Sequence, residues 1–210
     1  MKNLIIIGAR GFGREVYNIA IQTKEYNNKW VIKGFLDDKT TALKDFQNYP
    51  SILSSVEEYQ IEKNDVFICA LGDVKWKKKY VNMILGKNGE FINIIHPTVN
   101  MGLNTKIGRG CIICPYTYIS NDVTIGNFTT IQSHSAIGHD VTIGNFNQIN
   151  ALTFFGGFVK TEDEVTVNPG ATIIPKTIIG EQSILGINST ILKQVKPNVT
   201  MFGTPAKEIL

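Results

Sequence analysis

Residues 107–125 read IGRGCIICPYTYISNDVTI, and the period of this stretch decides the fold. Ile107, Ile113, Ile119 and Ile125 stand six apart, and four places after each of the first three come Cys111, Thr117 and Val123. Followed onward, the first register continues to Ile191, and among its fifteen positions only Thr161 is not apolar. The second register runs from Cys111 to Val195 and is nearly all small or β-branched. A helix repeats near 3.6 residues and a half-buried strand at 2. A period of six is one short strand plus one turn, repeated as a solenoid. Each unit sends one large and one small side chain inward, which is all that a narrow core accommodates. Three units close a triangular coil, so residues 18 apart stack at the spacing of paired strands, about 4.8 Å. Glycines 108, 126, 138, 144, 180 and 186 each follow an inward aliphatic residue and relieve crowding at the corners. The spacing leaves the hand of the coil open.

Before His96-Pro97 the pattern is different. Leu4–Ile7, Trp30–Leu36, residues 66–71 and Phe91–Ile95 read as short strands. Residues 12–23 carry Val16, Ile19, Ala20 and Thr23 at helical spacing, and residues 74–85 read as a second helix. Strands alternating with helices predict βαβ units around a small parallel sheet. The expected organisation is therefore an α/β domain over 1–96 and an all-β parallel coil over 97–210.

The remaining composition excludes several classes. With 21 basic and 18 acidic residues the net charge of +3 is too small for a nucleic-acid binder. No apolar run approaches the roughly 18 residues of a membrane span, so no membrane insertion is expected. Three cysteines make no disulfide framework, which points to a reducing, cytoplasmic compartment.

The chain resembles the hexapeptide-repeat acyltransferases, and within them the bacterial sugar O- or N-acetyltransferases of the sialic-acid O-acetyltransferase type. It is most similar to the branch that N-acetylates UDP-4-amino-4,6-dideoxy sugars in bacillosamine synthesis and to the perosamine N-acetyltransferases. The resemblance rests on Gly8-Ala-Arg-Gly-Phe-Gly13, Phe35-Leu-Asp-Asp38, Ala70-Leu-Gly72, Ile95-His-Pro97, Ile137-Gly-His-Asp140, Gly156-Gly157, Leu185-Gly-Ile-Asn-Ser189 and Gly203-Thr-Pro-Ala-Lys207, in that order. It implies a left-handed coil, a homotrimer, acetyl-CoA as co-substrate held along the coil, and a nucleotide-linked amino sugar as acceptor. Sugar O-acetylation is the alternative within the same family.

The loop Gly8, Arg10, Gly11, Phe12 and Gly13 follows a strand and opens a helix, where backbone N–H groups and the helix dipole favour phosphate. Its spacing is not that of a dinucleotide site, and a structural Gly-rich turn would look the same. Asp37 and Asp38 end the next strand and suit a base or ribose. The resemblance assigns all of these, with Leu71 and Gly72, to the sugar nucleotide. Arg10 and Phe12 depart from the Ser and His usual there.

His139 falls on the family's catalytic histidine, and Asp140 on its acidic partner. A near-neutral imidazole can take the proton of an attacking amine; a solvated corner histidine is the plainer reading. Gly157, 18 residues on, is the implied oxyanion donor. Gln148 stands where the family has a second His and retains an N–H₂ for the acyl oxygen. Gly186, Ile187, Pro205, Ala206 and Lys207 match CoA contacts by resemblance, and Lys193 and Lys207 are either phosphate ligands or ordinary surface lysines.

Two other readings stay open. His134-x4-His139 resembles half the zinc site of γ-type carbonic anhydrases, but Thr98 stands where a third ligand belongs, and no metal is expected. Cys111-x-x-Cys114 lacks a second pair and reads as core. A trimeric binding module without chemistry is the non-enzymatic alternative, which Gln148 alone favours.

Overall fold

The computed structural model describes residues 1–209. Two compact units divide the chain, the first being Met1–Pro97 and the second beginning at Thr98.

In the first unit β1 (Lys2–Ile7), β2 (Trp30–Leu36), β3 (Ile52–Ser54), β4 (Asp65–Cys69) and β5 (Glu90–Phe91) form one parallel sheet in the order β3-β2-β1-β4-β5. Helices α1 (Gly11–Ile21) and α2 (Val74–Gly86) follow β1 and β4. The central strands are apolar beyond their first residues, with Leu4–Ile7 and Val66–Ile68 buried, as expected of a sheet with both faces covered. Helix α1 buries Gly13, Val16, Ile19 and Ala20, the stripe its spacing predicts. The sequence reading missed β3, whose three residues are too short to show a period.

At the N-terminal edge of this sheet, Asp65 accepts from the Tyr59 hydroxyl (2.8 Å), the Glu62 N–H (2.8 Å) and Lys33 Nζ (3.1 Å). Burial alone would raise its carboxyl, but these three donors outweigh it and hold the group below its usual range. Its contribution to stability is thus present above the unfolded-state value and lost as pH falls through the lower folded one.

The second unit is a parallel solenoid with three faces. One face stacks the strands beginning at Asn100, Tyr118, Ala136, Phe154, Thr172 and Thr190. The second stacks those beginning at Lys106, Thr124, Thr142, Lys160 and Ile178. The third runs through Ile112, Thr130, Gln148, Thr166 and Ile184 to Thr200–Gly203, which pairs antiparallel with Ala206–Glu208. In the coil proper every pairing joins residues 18 apart, such as Ile119 to Ile137 and Ile137 to Phe155. Both inward registers are buried from Cys111 to Val195. Their hydroxyls are satisfied by turn carbonyls, as when Thr129 donates to Gly144 O (2.9 Å) and Ser183 to Gly180 O (2.7 Å).

The corners follow a rule that the sequence does not display. From Asn104 to Asn188, every sixth residue has positive φ, fifteen positions of which only Gly110 and Gly170 are glycine. The left-handed conformation costs about 1–2 kcal/mol for other residues. Tertiary hydrogen bonding offsets it: from Asp122 onward, each of these N–H groups donates to a carbonyl 19 residues earlier, as Phe146 does to Asn127 (2.8 Å) and Phe158 to His139 (2.9 Å). The corner glycines predicted above serve close stacking instead. A Cβ on Gly126 would lie 2.6 Å from Gly144, and one on Gly144 2.5 Å from Glu162 O. Among the described residues, no helix is long and apolar enough to cross a membrane.

Gly144→Ala should destabilise the coil by roughly 1–3 kcal/mol through overpacking. Gln182→Gly at an exposed left-handed position (φ 56) should cost nothing, because relief of about 1 kcal/mol offsets the extra freedom glycine gives the unfolded chain. Urea unfolding followed by circular dichroism compares the two. The first unit should also lose stability as pH falls below about 4, with a shallower loss in Asp65→Asn, measured as urea midpoint against pH.

Candidate functional site

Chemistry-bearing residues gather at one place in each unit. In the first unit, β1 leads to α1 and β4 to α2, so the chain leaves the sheet in opposite directions at the carboxyl ends of adjacent strands, where α/β sheets bind ligands. A cavity of about 460 Å³ lies there, lined by Gly8, Arg10, Asp37, Asp38, Leu71 and Gly72 of the predicted residues. Gly11, Phe12 and Gly13 are not in its wall and form the first turn of α1. That turn has no side-chain cap and no acidic residue, so its dipole end is uncompensated by the chain. Gly13 is required by packing, since a Cβ there would lie 1.9 Å from Gly8 O.

The two aspartates divide the work. Asp37 is 8% exposed, and its oxygens accept from the N–H groups of Ala9 (2.9 Å) and Lys39 (2.9 Å). It therefore builds the loop, with both oxygens already engaged. Asp38 is exposed and accepts from the Tyr80 hydroxyl. Burial and the Asp38 carboxylate push the Tyr80 phenol up to about 12, keeping it a donor. The Arg10 guanidinium is 72% exposed and 3.9 Å from Asp37. The sequence reading missed Trp76 and Tyr80, which also line the cavity and stack on each other at 5.8 Å. Their place in the first turns of the helix after β4 was the available signal.

In the second unit the motif at 137–140 forms a corner between two faces. His139 Nδ1 lies 2.7 Å from Asp140 Oδ2, and the imidazole is 58% exposed. One coil along the solenoid is Gly157. A Cβ there would lie 2.7 Å from both Cε1 and Nε2 of His139, so the bare Cα of Gly157 makes room for the ring. The ring is thus anchored at Nδ1, and its other nitrogen sits over Gly157. Nδ1–H donation to the carboxylate leaves Nε2 with a lone pair. Phe158 packs its ring against the imidazole at 5.2 Å and 88°.

The other predicted residues are dispersed. Gln148 is buried, its Nε2 donating to Asn150 Oδ1 (3.1 Å). Gly186 packs under Phe202 and Met201, where a Cβ would lie 2.4 Å from the Phe202 ring. Ile187, Lys193, Pro205 and Lys207 are exposed, and Ala206 is buried beside the Thr204–Pro205 cis peptide. His134 stacks on Tyr116 at 5.1 Å, and Thr98 Oγ1 accepts from the Tyr116 N–H. His96 faces Gln22 (3.1 Å), and burial lowers its basicity. All three cysteines are buried and outside any disulfide, and burial pushes the Cys69 thiol up to about 12.

Known proteins resemble this arrangement along the whole chain. Residues 3–84 match the PglD N-terminal domain, and residues 92–182 match the GMPPB C-terminal domain. GDP-perosamine N-acetyltransferase of Escherichia coli O157:H7 is 30% identical over 214 residues, covering 97% of this chain and 95% of that one. The chain belongs to the hexapeptide-repeat sugar acetyltransferases. A local match of 55 residues, 34% identical, to an acetyltransferase candidate of Schizosaccharomyces pombe spans 26% of this chain and 27% of that one. Two solved structures share the fold: WeeI from Acinetobacter baumannii AYE (TM-score 0.86, 23% identity, all of both chains) and PerB from Caulobacter crescentus, bound to CoA and GDP-perosamine (TM-score 0.87, 19% identity, 100% of this chain and 98% of that one). The coil is accordingly the left-handed one of this family.

Gly157→Ala should displace the imidazole without unfolding the coil. A displacement near 1 Å lowers turnover by about 10²-fold, while the circular dichroism spectrum stays that of the parent.

Proposed function

We propose that this chain transfers the acetyl group of acetyl-CoA to the amino group of a nucleotide-linked 4-amino-4,6-dideoxy sugar. The observation that carries this reading is the His139–Asp140 pair seated over Gly157, in a chain whose whole-length relative is a GDP-perosamine N-acetyltransferase. The cavity at the carboxyl edge of the first unit would hold the nucleotide. Arg10, at the N-cap of the uncapped α1, faces its phosphates, and Trp76 gives its base an apolar surface.

The amine adds to the thioester carbonyl, forming the C–N bond, while His139 Nε2 takes the amine proton as general base. Asp140 orients the ring and stabilises the imidazolium that forms. The Gly157 N–H, which donates to no acceptor among the described residues, is available to the developing oxyanion. Collapse breaks the C–S bond, and the imidazolium proton goes to the departing thiolate. No acyl-enzyme is needed, since no Ser or Cys stands beside the ring. Gln148 Nε2 gives one hydrogen to Asn150, and its contribution to the acyl oxygen would be that of one neutral hydrogen bond.

CoA would lie along the coil toward Gly186, Ile187 and the 203–207 hairpin, with Lys193 and Lys207 near its phosphates. The working unit would be a homotrimer, supported by the exposed apolar side chains of Tyr118 and Phe154 on one face. We assign the reaction to the cytoplasm, where cysteines outside any disulfide persist as thiols.

His139→Ala should lower kcat by about 10²–10⁴ with the KM for acetyl-CoA kept, as expected when a general base is removed. Free CoA release with GDP-, UDP- and dTDP-linked amino sugars measures it, and a variant within a few-fold of the parent would overturn the assignment. Light scattering should give about three times 23.3 kDa.

A further inference from the structure

We infer that Phe158 is a positioning residue for His139: its ring clamps the imidazole so that Nε2 keeps the orientation set by Asp140. The inference rests on the reading of His139 as the base. Phe158 occupies a left-handed corner position, φ 62, and its side chain is 46% exposed. The corner hydrogen bond offsets the backbone cost, but a ring left half in water forgoes part of its burial, so something must favour an aromatic side chain here.

The other aromatic residues at left-handed corner positions have a structural reason. Phe128 stacks on Phe146 at 4.9 Å, and Tyr116 on His134 at 5.1 Å, each pair 18 residues apart and each supporting the rise of its own corner. Phe158 has no such partner, because the residues 18 before and after it in its column are Asp140 and Lys176. Its single ring contact among the described residues is with the imidazole of His139, 5.2 Å away and nearly perpendicular at 88°, a favourable aromatic geometry. The backbone reinforces the placement, since the Phe158 N–H donates to the His139 carbonyl (2.9 Å).

Three constraints then meet on one ring. Asp140 holds Nδ1, the bare Cα of Gly157 sets how close the Nε2–Cε1 edge approaches, and Phe158 closes one flank. The Asp140 hydrogen bond alone leaves the imidazole free to swing about its side-chain torsions, because both residues are exposed. The edge contact removes that freedom, and orientation of this kind is worth one to two orders of magnitude in rate.

Phe158→Gly separates this role from a structural one, since it deletes the ring and also relieves the left-handed backbone. The thermal midpoint should stay level or rise. The kcat for acetyl transfer should fall about 10- to 100-fold with the KM for acetyl-CoA within twofold of the parent. Phe158→Tyr, which keeps the ring, should restore kcat. In the double variant with His139→Ala, removal of Phe158 should cost nothing further, because it acts through that ring. Independently of turnover, the His139 ring ¹⁵N and Hε1 resonances of the full chain should shift and broaden in Phe158→Gly. A level midpoint with unchanged resonances and kcat would overturn the clamp, as would a lowered midpoint that accounts for the loss of activity. If His139→Ala keeps full activity, the general-base reading fails, and the resonances alone then decide the clamp.

Discussion

Everything in the second unit depends on the stacking of residues 18 apart. The inward column of Ile119, Ile137, Phe155 and Ile173 excludes water, and the strand bonds between them fix one rise per coil. That rise leaves no space for a Cβ at Gly126, Gly138 or Gly144, and from Asp122 onward it brings each left-handed N–H to a carbonyl of the coil before. The same rise puts Gly157 beneath His139. The His139–Gly157 contact across 18 residues is thus a by-product of the lattice that builds the core, which is why a rigid β-coil holds an exposed histidine in a definite place.

The first unit solves a different problem with less regular means. Its parallel sheet reverses direction beside β1, opening a cavity where three loops meet. Charge is managed locally there. Asp37 is consumed in building the loop, Tyr80 steadies Asp38, and the open helix end and the exposed Arg10 leave positive charge uncompensated by a capping side chain. At the opposite edge, Asp65 with Lys33 and Tyr59 is a closed network facing away from this chemistry and serves stability.

The sequence announced the coil because its signal is repetition: fifteen positions six apart agree, and one polar exception, Thr161, still fits inside. It announced His139 and Asp140 because a motif surrounds them. It did not announce the left-handed corners, since Asp122, Phe146, Leu152 and Lys176 share no composition. Their common property is a tertiary hydrogen bond, and no residue type encodes that. Trp76 and Tyr80 were hidden for a related reason, being helical residues whose role depends on which way the sheet turns. Gln148 was read by its column, which does not display that its buried amide also donates to Asn150.

The central claim is that the His139 Nε2 over Gly157 receives the proton of a nucleotide-linked amine. A crystal structure of the full chain with CoA and a nucleotide-linked 4-amino-4,6-dideoxy sugar tests it directly. The account predicts the sugar amine within about 3.2 Å of that nitrogen, with the CoA sulfur beside the Gly157 N–H. An amine bound beyond reach of His139, with another basic group against it, would contradict the account.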